Sequence, residues 1–328
     1  MRVLFAGSPE IALPALRRIS ATQIVAGVLT NPESVSGRGL APTATPVARC
    51  ATELGIPVLS FERLGPESRA AVAALQPDIL VSFAYGRIFG PKFLALFPRG
   101  GLNVHPSLLP RHRGASPILQ AILSRDGETG VSVQALAPEL DSGDLYGVVR
   151  LPLEGRETTE SLSATAALAG AELLDRVLAE IEAGKARPQA QVGEPSFCGH
   201  LTKEDGLLDW SLPALDIDAR IRAFWPWPVA YSYLRGTRLN VLEARAYTGE
   251  VWPEGSWPGE GRAAPGTVLG LDKARGLMVQ TGDGLIALGR LQLQAKKALP
   301  YREFANGVRD LAGAVLGTAV HEEPGKSQ

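Results

Sequence analysis

The sequence predicts an α/β domain on a mostly parallel sheet, followed by a smaller β-barrel domain, and three observations carry that prediction. The 328-residue chain is longer than one hydrophobic core readily serves. Its first half alternates short apolar runs with amphipathic segments, and its last third is a series of short alternating runs separated by glycine turns.

Residues 3–6 form an apolar run that ends in Gly7-Ser8-Pro9, after which Ile11, Leu13, Leu16 and Ile19 suggest a helix begun near Pro9. Residues 24–29 give a second strand, 46–54 a second helix, 56–59 a third strand and 79–83 a fourth, each after a turn or cap signal. Such alternation implies parallel strands covered by helices on both faces. Residues 101–104 continue the sheet, 115–123 form a helix, and 130–135 followed by 145–151 make a pair of strands that can run antiparallel. From Thr158 a long amphipathic helix carries Leu162, Ala166, Leu173, Leu174, Val177, Leu178 and Ile181 until Gly184 ends it. The Pro- and Gly-containing stretch 186–204 reads as a linker, which sets the domains at 1–185 and 205–318 with a tail at 319–328. In the second domain a helix over 213–224 precedes strands at 230–234, 239–246, 266–269, 276–280 and 285–293, five short strands that suggest a small barrel. The Gly/Pro/Trp-rich stretch 249–265 reads as a loop inside it.

Composition excludes several functions. No stretch of about 18 apolar residues is present, and the opening MRVLFAGSPE enters a strand without the sections of a secretory signal, so a cytoplasmic protein without a membrane span is expected. Cys50 and Cys198 are too few for a disulfide framework and lack C-x-x-C spacing; both read as buried small hydrophobes. His105, His112, His200 and His321 contain no H-E-x-x-H or comparable ligand set, so a metal-free mechanism is expected. A net charge of -1 argues against indiscriminate polyanion binding but leaves room for a local basic face. AGSPE is an incomplete G-x-G-x-x-G and no acidic residue plainly ends the second strand, which disfavours a dinucleotide dehydrogenase.

Ligands of open α/β sheets sit beyond the carboxyl ends of the strands, which directs attention to GLNVHPSLLPRHRGASP. Asn103 and His105 alternate in the strand and so share a face, and Pro106 ends it. PELDSGDLY later supplies Asp141 and Asp144 in a Ser-Gly turn. Asn103, His105 and one of these aspartates compose an acyl-transfer set: an amide for a developing oxyanion, an imidazole to move protons, and a carboxylate to orient it. Each also has a plain structural reading, the histidine as a satisfied strand-end residue and the aspartates as Asx-turn residues.

Together Asn103, His105, the following PSLLPRHRGASP and the later ELDSGD resemble the signature of enzymes that use 10-formyltetrahydrofolate as formyl donor. MRVLFAGSPEIALPAL, SGRGLAPTATPV, SFAYGRIFGP, IRAFWPWP, APGTV and VQTGDGLIAL extend the likeness over nearly the whole chain, which is similar to the methionyl-tRNA formyltransferases of that family. The resemblance implies a Rossmann-like catalytic domain and an OB-like C-terminal, tRNA-binding barrel. It implies formyl transfer from 10-formyltetrahydrofolate to the amino group of methionyl initiator tRNA; no metal and a monomer are expected. A sugar-nucleotide amine formyltransferase using the same donor is the alternative, and an inactive RNA-binding module is a further one.

Residue by residue, the resemblance assigns catalysis to Asn103, His105 and Asp141. It implies a folate pocket around Phe83, Ala84, Tyr85 and Gly86, around Ser107, Leu108, Leu109 and Pro110, and at the Asp141 turn. Arg38, in the loop over 36–47, is the implied contact to the acceptor stem. Lys296 and Lys297, with Arg235, Arg238, Arg245 and Arg290 elsewhere in the barrel, are candidates for RNA phosphates. The chain departs from the family pattern where Leu40, Ala41 and Pro42 follow Gly39 in place of lysines, and at Trp225, where asparagine is common. The block Phe224-Trp225-Pro226-Trp227-Pro228 reads as a packed hinge.

Overall fold

The computed structural model describes residues 1–35, 42–249 and 263–317. Arg38 with residues 36–41 of its loop, most of the 249–265 segment and the 319–328 tail lie outside the described residues. The chain divides into two compact units. The first comprises Met1–Ala121, Gly127–Leu153 and Ser161–His200, and the second Ile122–Asp126, Glu154–Glu160 and the residues from Leu201 onward.

The first unit is built on seven strands: β1 (Arg2–Gly7), β2 (Ile24–Thr30), β3 (Val58–Ser60), β4 (Ile79–Phe83), β5 (Gly101–His105), β6 (Glu128–Ala135) and β7 (Leu145–Pro152). Their order is β7-β6-β5-β4-β1-β2-β3. The pairs from β5 through β3 are parallel, while β6 runs antiparallel to β5 and β7 antiparallel to β6. The pair read as able to run antiparallel therefore does so, and it forms one edge of the sheet. Val3, Leu4, Phe5 and Ala6 of β1 and Ile79, Leu80 and Val81 of β4 expose no surface, as central strands covered on both faces require. The third strand starts two residues later than its apolar run suggests. The Ile56 amide is committed to the Ala51 carbonyl, closing the Pro46–Glu53 helix behind Gly55, and Pro57 has no amide to give.

The Thr159–Glu182 helix lies over β5, β6 and β7: a Cβ on Gly170 would stand 3.1 Å from Val104 and 3.3 Å from Val131, and Gly147 of β7 faces Leu173. A helix over Pro66–Ala74 escaped the sequence reading because its sequence is alanine-rich and only Ser68 and Val72 are buried, too few to show a periodic stripe. Beyond β4, Tyr85, Phe89, Phe93 and Phe97 recur every four residues and pack in series, the first three stacked and the last tilted, with ring centroids 5.3, 5.5 and 5.8 Å apart. They join Leu4, Leu29, Val72 and Leu80 in one buried cluster, which fixes the backbone that leaves β4.

The second unit holds β8 (Tyr231–Leu234), β9 (Thr237–Tyr247), β10 (Val268–Asp272), β11 (Gly276–Gln280) and β12 (Leu285–Leu293), antiparallel in the order β10-β11-β12-β9-β8. A short strand, Leu316–Gly317, that the sequence reading did not include pairs with β8. The same segment bonds across to the start of β10: Val268 donates to Ala314 O and Gly313 to Val268 O, both at 2.8 Å. These bonds join the two ends of the sheet and close it as a barrel, which removes its exposed edges. The register of β9 on β12 shifts twice between Val241 and Ala244, the bulges by which a long strand bends around such a closure. In the Phe224–Pro228 block Phe224 is buried while Trp227 is half exposed, so packing claims the first ring and not the last.

Candidate active site

Asn103 and His105 stand on one face at the carboxyl end of β5, beside the first antiparallel strand of the sheet. Asp141 reaches them from the turn between β6 and β7. Its backbone is left-handed, with φ 51°, a conformation non-glycine residues adopt rarely and mostly where the surroundings hold them. Gly143 allows the turn to lie this close, since a Cβ there would sit 1.9 Å from the Ala135 carbonyl oxygen.

The Asp141 carboxylate is gripped from several sides. Oδ1 accepts from Gln134 Nε2 at 2.9 Å and, over 3.4 Å, from Asn103 Nδ2; Oδ2 accepts the Gly114 backbone N–H at 2.8 Å. His105 Nδ1 lies 3.6 Å from Oδ2, too long for a hydrogen bond but close enough for the carboxylate to stabilise the ring once it is protonated. The imidazole is instead held by its other nitrogen, with Nε2 2.9 Å from the His112 carbonyl oxygen. A carbonyl can only accept, so Nε2 carries the proton and the neutral ring keeps its lone pair on Nδ1, facing Asp141. His112 aims that carbonyl from a left-handed backbone, φ 57°, and its own amide donates to Ser196 Oγ at 2.9 Å. Burial pushes the His105 pKa below the usual imidazole value; the Asp141 charge and the His112 carbonyl pull it back part of the way.

The remaining candidates divide by environment. Ala84 and Gly86 are exposed and left-handed, φ 53° and 77°, while Tyr85 between them is buried in the aromatic stack, so the segment turns its backbone outward just past β4. Phe83 is core. Ser107 is fully buried and donates to Arg111 O at 2.6 Å, Ser132 donates to Ser107 O at 2.7 Å, and Leu109 N reaches Ser132 at 3.3 Å. These bonds brace the loop that carries Leu108, Leu109 and the cis-linked Pro110. Asp144 is exposed and contributes only its carbonyl, to Ala135 N, so it stands outside the cluster. Lys296 and Lys297 project from an exposed turn after β12. Among the described residues, no group of three His, Cys, Asp or Glu is placed to hold a metal ion, and no helix is long and apolar enough to cross a membrane.

A carboxylate beside a buried imidazole and a side-chain amide, at the end of a parallel strand, is the equipment for moving a proton and meeting developing negative charge. Comparison with known proteins gives the family of the chain. A family described as formyl transferase matches residues 1–178, and the formyl transferase C-terminal domain matches residues 200–309. The chain belongs to the formyl transferase family. Within it, the chain is 46% identical over 326 residues to the methionyl-tRNA formyltransferase of Treponema pallidum (strain Nichols), covering 97% of this chain and 99% of that protein. It is 40% identical to the methionyl-tRNA formyltransferase of Roseiflexus castenholzii, covering 97% and 99%. The solved N-formyltransferase of Helicobacter canadensis, in complex with folinic acid and dTDP-3-aminofucose, superposes with a TM-score of 0.64 at 16% identity over 90% of this chain and 100% of that one. At that identity the likeness is one of fold.

Gln134, Gln191, the Gly114 amide and the His112 carbonyl hold Asp141 and His105 in place, and the sequence reading gave a role to none of the four. Gln134 left a faint signal, as a polar side chain in the apolar strand β6, where it is 1% exposed. Gln191 left none, because it lies in an irregular stretch and reaches Asp141 only through the fold.

Proposed function

We infer that this protein transfers the formyl group of 10-formyltetrahydrofolate to the amino group of methionyl initiator tRNA, with Asn103, His105 and Asp141 as its catalytic residues. The observation that carries the assignment of residues is their convergence at the end of β5 in a chain of the formyl transferase family. The folate donor supplies an activated formyl carbon. Its flat, polar ring system suits the outward-turned backbone at Ala84 and Gly86, where a Cβ on Gly86 would meet nothing within 4 Å.

An α-amino group has a pKa of about 8 and must be neutral to attack. His105 takes its proton at Nδ1, the ring atom left with a lone pair, and the resulting imidazolium lies 3.6 Å from the Asp141 carboxylate. As the neutral amine attacks the formyl carbon and loses that proton to the ring, Asn103 meets the negative charge on the formyl oxygen. The carbon–nitrogen bond to the folate then breaks, and the imidazolium gives the proton to the departing tetrahydrofolate nitrogen. The Asn103 bond to Asp141 is long at 3.4 Å and uses one amide hydrogen, leaving the second to donate. Asp141 acts as a fixed charge, its oxygens already occupied by Gln134, Gly114 and Asn103. The protein is expected to act in the cytoplasm as a monomer.

The test supplies labelled 10-formyltetrahydrofolate with charged initiator tRNA, charged elongator tRNA and an amino-sugar nucleotide in parallel. Label is expected on the initiator methionine. Label on the sugar alone would overturn the substrate assignment.

Lys296 and Lys297, exposed on their turn, are proposed to meet RNA phosphates. Changing both to Gln is expected to weaken tRNA binding and to flatten its log-log salt dependence by about one per lysine, as fewer counterions are released. Unchanged affinity and slope in filter binding at several salt concentrations would make the pair a solvated turn only.

A further inference from the structure

The Asp141 turn is held from outside by a chain of directed hydrogen bonds that begins in the irregular stretch after the Thr159–Glu182 helix. Arg113 donates to Gln191 Oε1 through Nε at 3.2 Å and through a terminal guanidinium nitrogen at 2.7 Å. An arginine has no acceptor, so this contact fixes which way the Gln191 amide points. Its Nε2 then faces three acceptors: the carbonyls of Asp141 and Gly143, both at 2.9 Å, and Gln134 Oε1 at 3.3 Å. Gln134, its oxygen thereby committed, turns its own Nε2 to Asp141 Oδ1 at 2.9 Å. Both amides are oriented without ambiguity, by a permanent cation at one end and a carboxylate at the other.

The backbone around Gln191 is itself tied to the first unit on both sides. Before it, Gln189 and Leu145 of β7 exchange backbone bonds at 2.7 and 3.0 Å; after it, Phe197 and Cys198 pair in parallel with Arg113 and Gly114. Gln191 is thus a fixed point from which a left-handed turn at φ 51° is gripped by two of its carbonyls.

We propose that Gln191, oriented by Arg113 and acting through Gln134, is a positioning residue for the formyl transfer: it holds the Asp141 carboxylate where it faces His105 Nδ1. The proposal rests on the catalytic assignment above. Without the Gln191 amide the strained turn relaxes, Gln134 loses its orientation, and Asp141 no longer faces the imidazole. A displacement of about 1 Å at a reacting group costs up to about a hundredfold in rate. The loss falls on kcat and leaves the KM for the tRNA substrate unchanged, because Gln191 touches only the turn and the amide of Gln134; the KM for the folate donor rises only as far as the Asp141 turn also lines the donor pocket.

The experiment compares Gln191→Met, which keeps length and volume but removes the amide, with Gln134→Met, the double variant and Asp141→Asn. The readouts are kcat, both KM values and the titration of His105 followed by NMR, practicable because the chain has four histidines. Expected are a fall in kcat of about tenfold to a hundredfold in Gln191→Met and a double variant no slower than the slower single, since the two residues act in series. The His105 titration should move to lower pH, because the carboxylate that raises it is no longer held nearby. A residue that merely tethers the stretch would change the melting temperature and leave the His105 titration in place, and that result would overturn the proposal. Should Gln191→Met not fold, Gln134→Met alone carries the same test. If Asp141→Asn slows the reaction while both glutamine variants behave as wild type, this inference fails and the catalytic assignment stands; if Asp141→Asn leaves the rate unchanged, both fail.

Discussion

Replacing His105 with Ala is expected to lower turnover by at least about a hundredfold, the usual contribution of a positioned general base. The ring is 4% exposed and donates to a buried carbonyl, so the variant also loses stability, about 1 kcal/mol, since the His112 oxygen keeps only the long contact from the Cys198 thiol. A melting curve taken with the rate separates the two losses: the protein should remain folded at the assay temperature and still be slow. Asn103→Ala should lose about a hundredfold as well, from removal of an oxyanion donor, at smaller structural cost because this side chain is only half-buried. Asp141→Asn supplies the electrostatic check. Burial lowers the His105 pKa and the Asp141 charge opposes that shift, so neutralising Asp141 lets the pKa fall further and His105 titrates at lower pH. A titration that moved upward, or near-normal turnover in folded His105→Ala and Asn103→Ala, would remove these residues from the mechanism.

Gly114→Ala should be the most disruptive small substitution in the first unit. Gly114 has φ 119°, a region closed to side-chain-bearing residues, and a Cβ there would stand 2.1 Å from the Cys198 carbonyl oxygen. The obstacle is backbone on both sides, so relief requires parting the Arg113–Gly114 and Phe197–Cys198 pair. Dihedral strain and overpacking of this kind each cost about 1–3 kcal/mol. Two bonds of the site depend on the same peptide pair, because Gly114 N–H holds Asp141 Oδ2 and Arg113 orients Gln191. The expected outcome is a melting temperature lower by several degrees together with a loss of turnover that persists well below the melting range. A variant that melts as wild type and turns over normally would show that the strand pair is not coupled to the site.

The fold class and most of the long elements were legible along the chain. Apolar runs at β1, β2, β4, β5 and β6 are long enough and bounded clearly enough to be strands, and the alternation of strands with helical segments up to β5 dictates the parallel pairing of that part of the sheet. Asn103 and His105 were legible as a pair because two residues apart in a strand share a face, a rule that needs no tertiary information. The five main barrel strands were legible for the same local reason. Features that depend on meeting a distant backbone were not legible there. The Leu316–Gly317 strand has two residues and no pattern of its own, and it exists because β8 and the start of β10 leave hydrogen-bonding groups for it. Asp141 rather than Asp144 enters the site because a left-handed turn points one carboxyl inward and the other to solvent. Gln191 lies 50 residues from Asp141 and in no periodic element, so nothing local marks it. It acquires its role because the Gln189–Leu145 and Cys198–Gly114 contacts deliver its amide to two carbonyls that would otherwise lack that donor. Periodicity is a property of neighbours along the chain, whereas the satisfaction of a buried polar group is a property of neighbours in space.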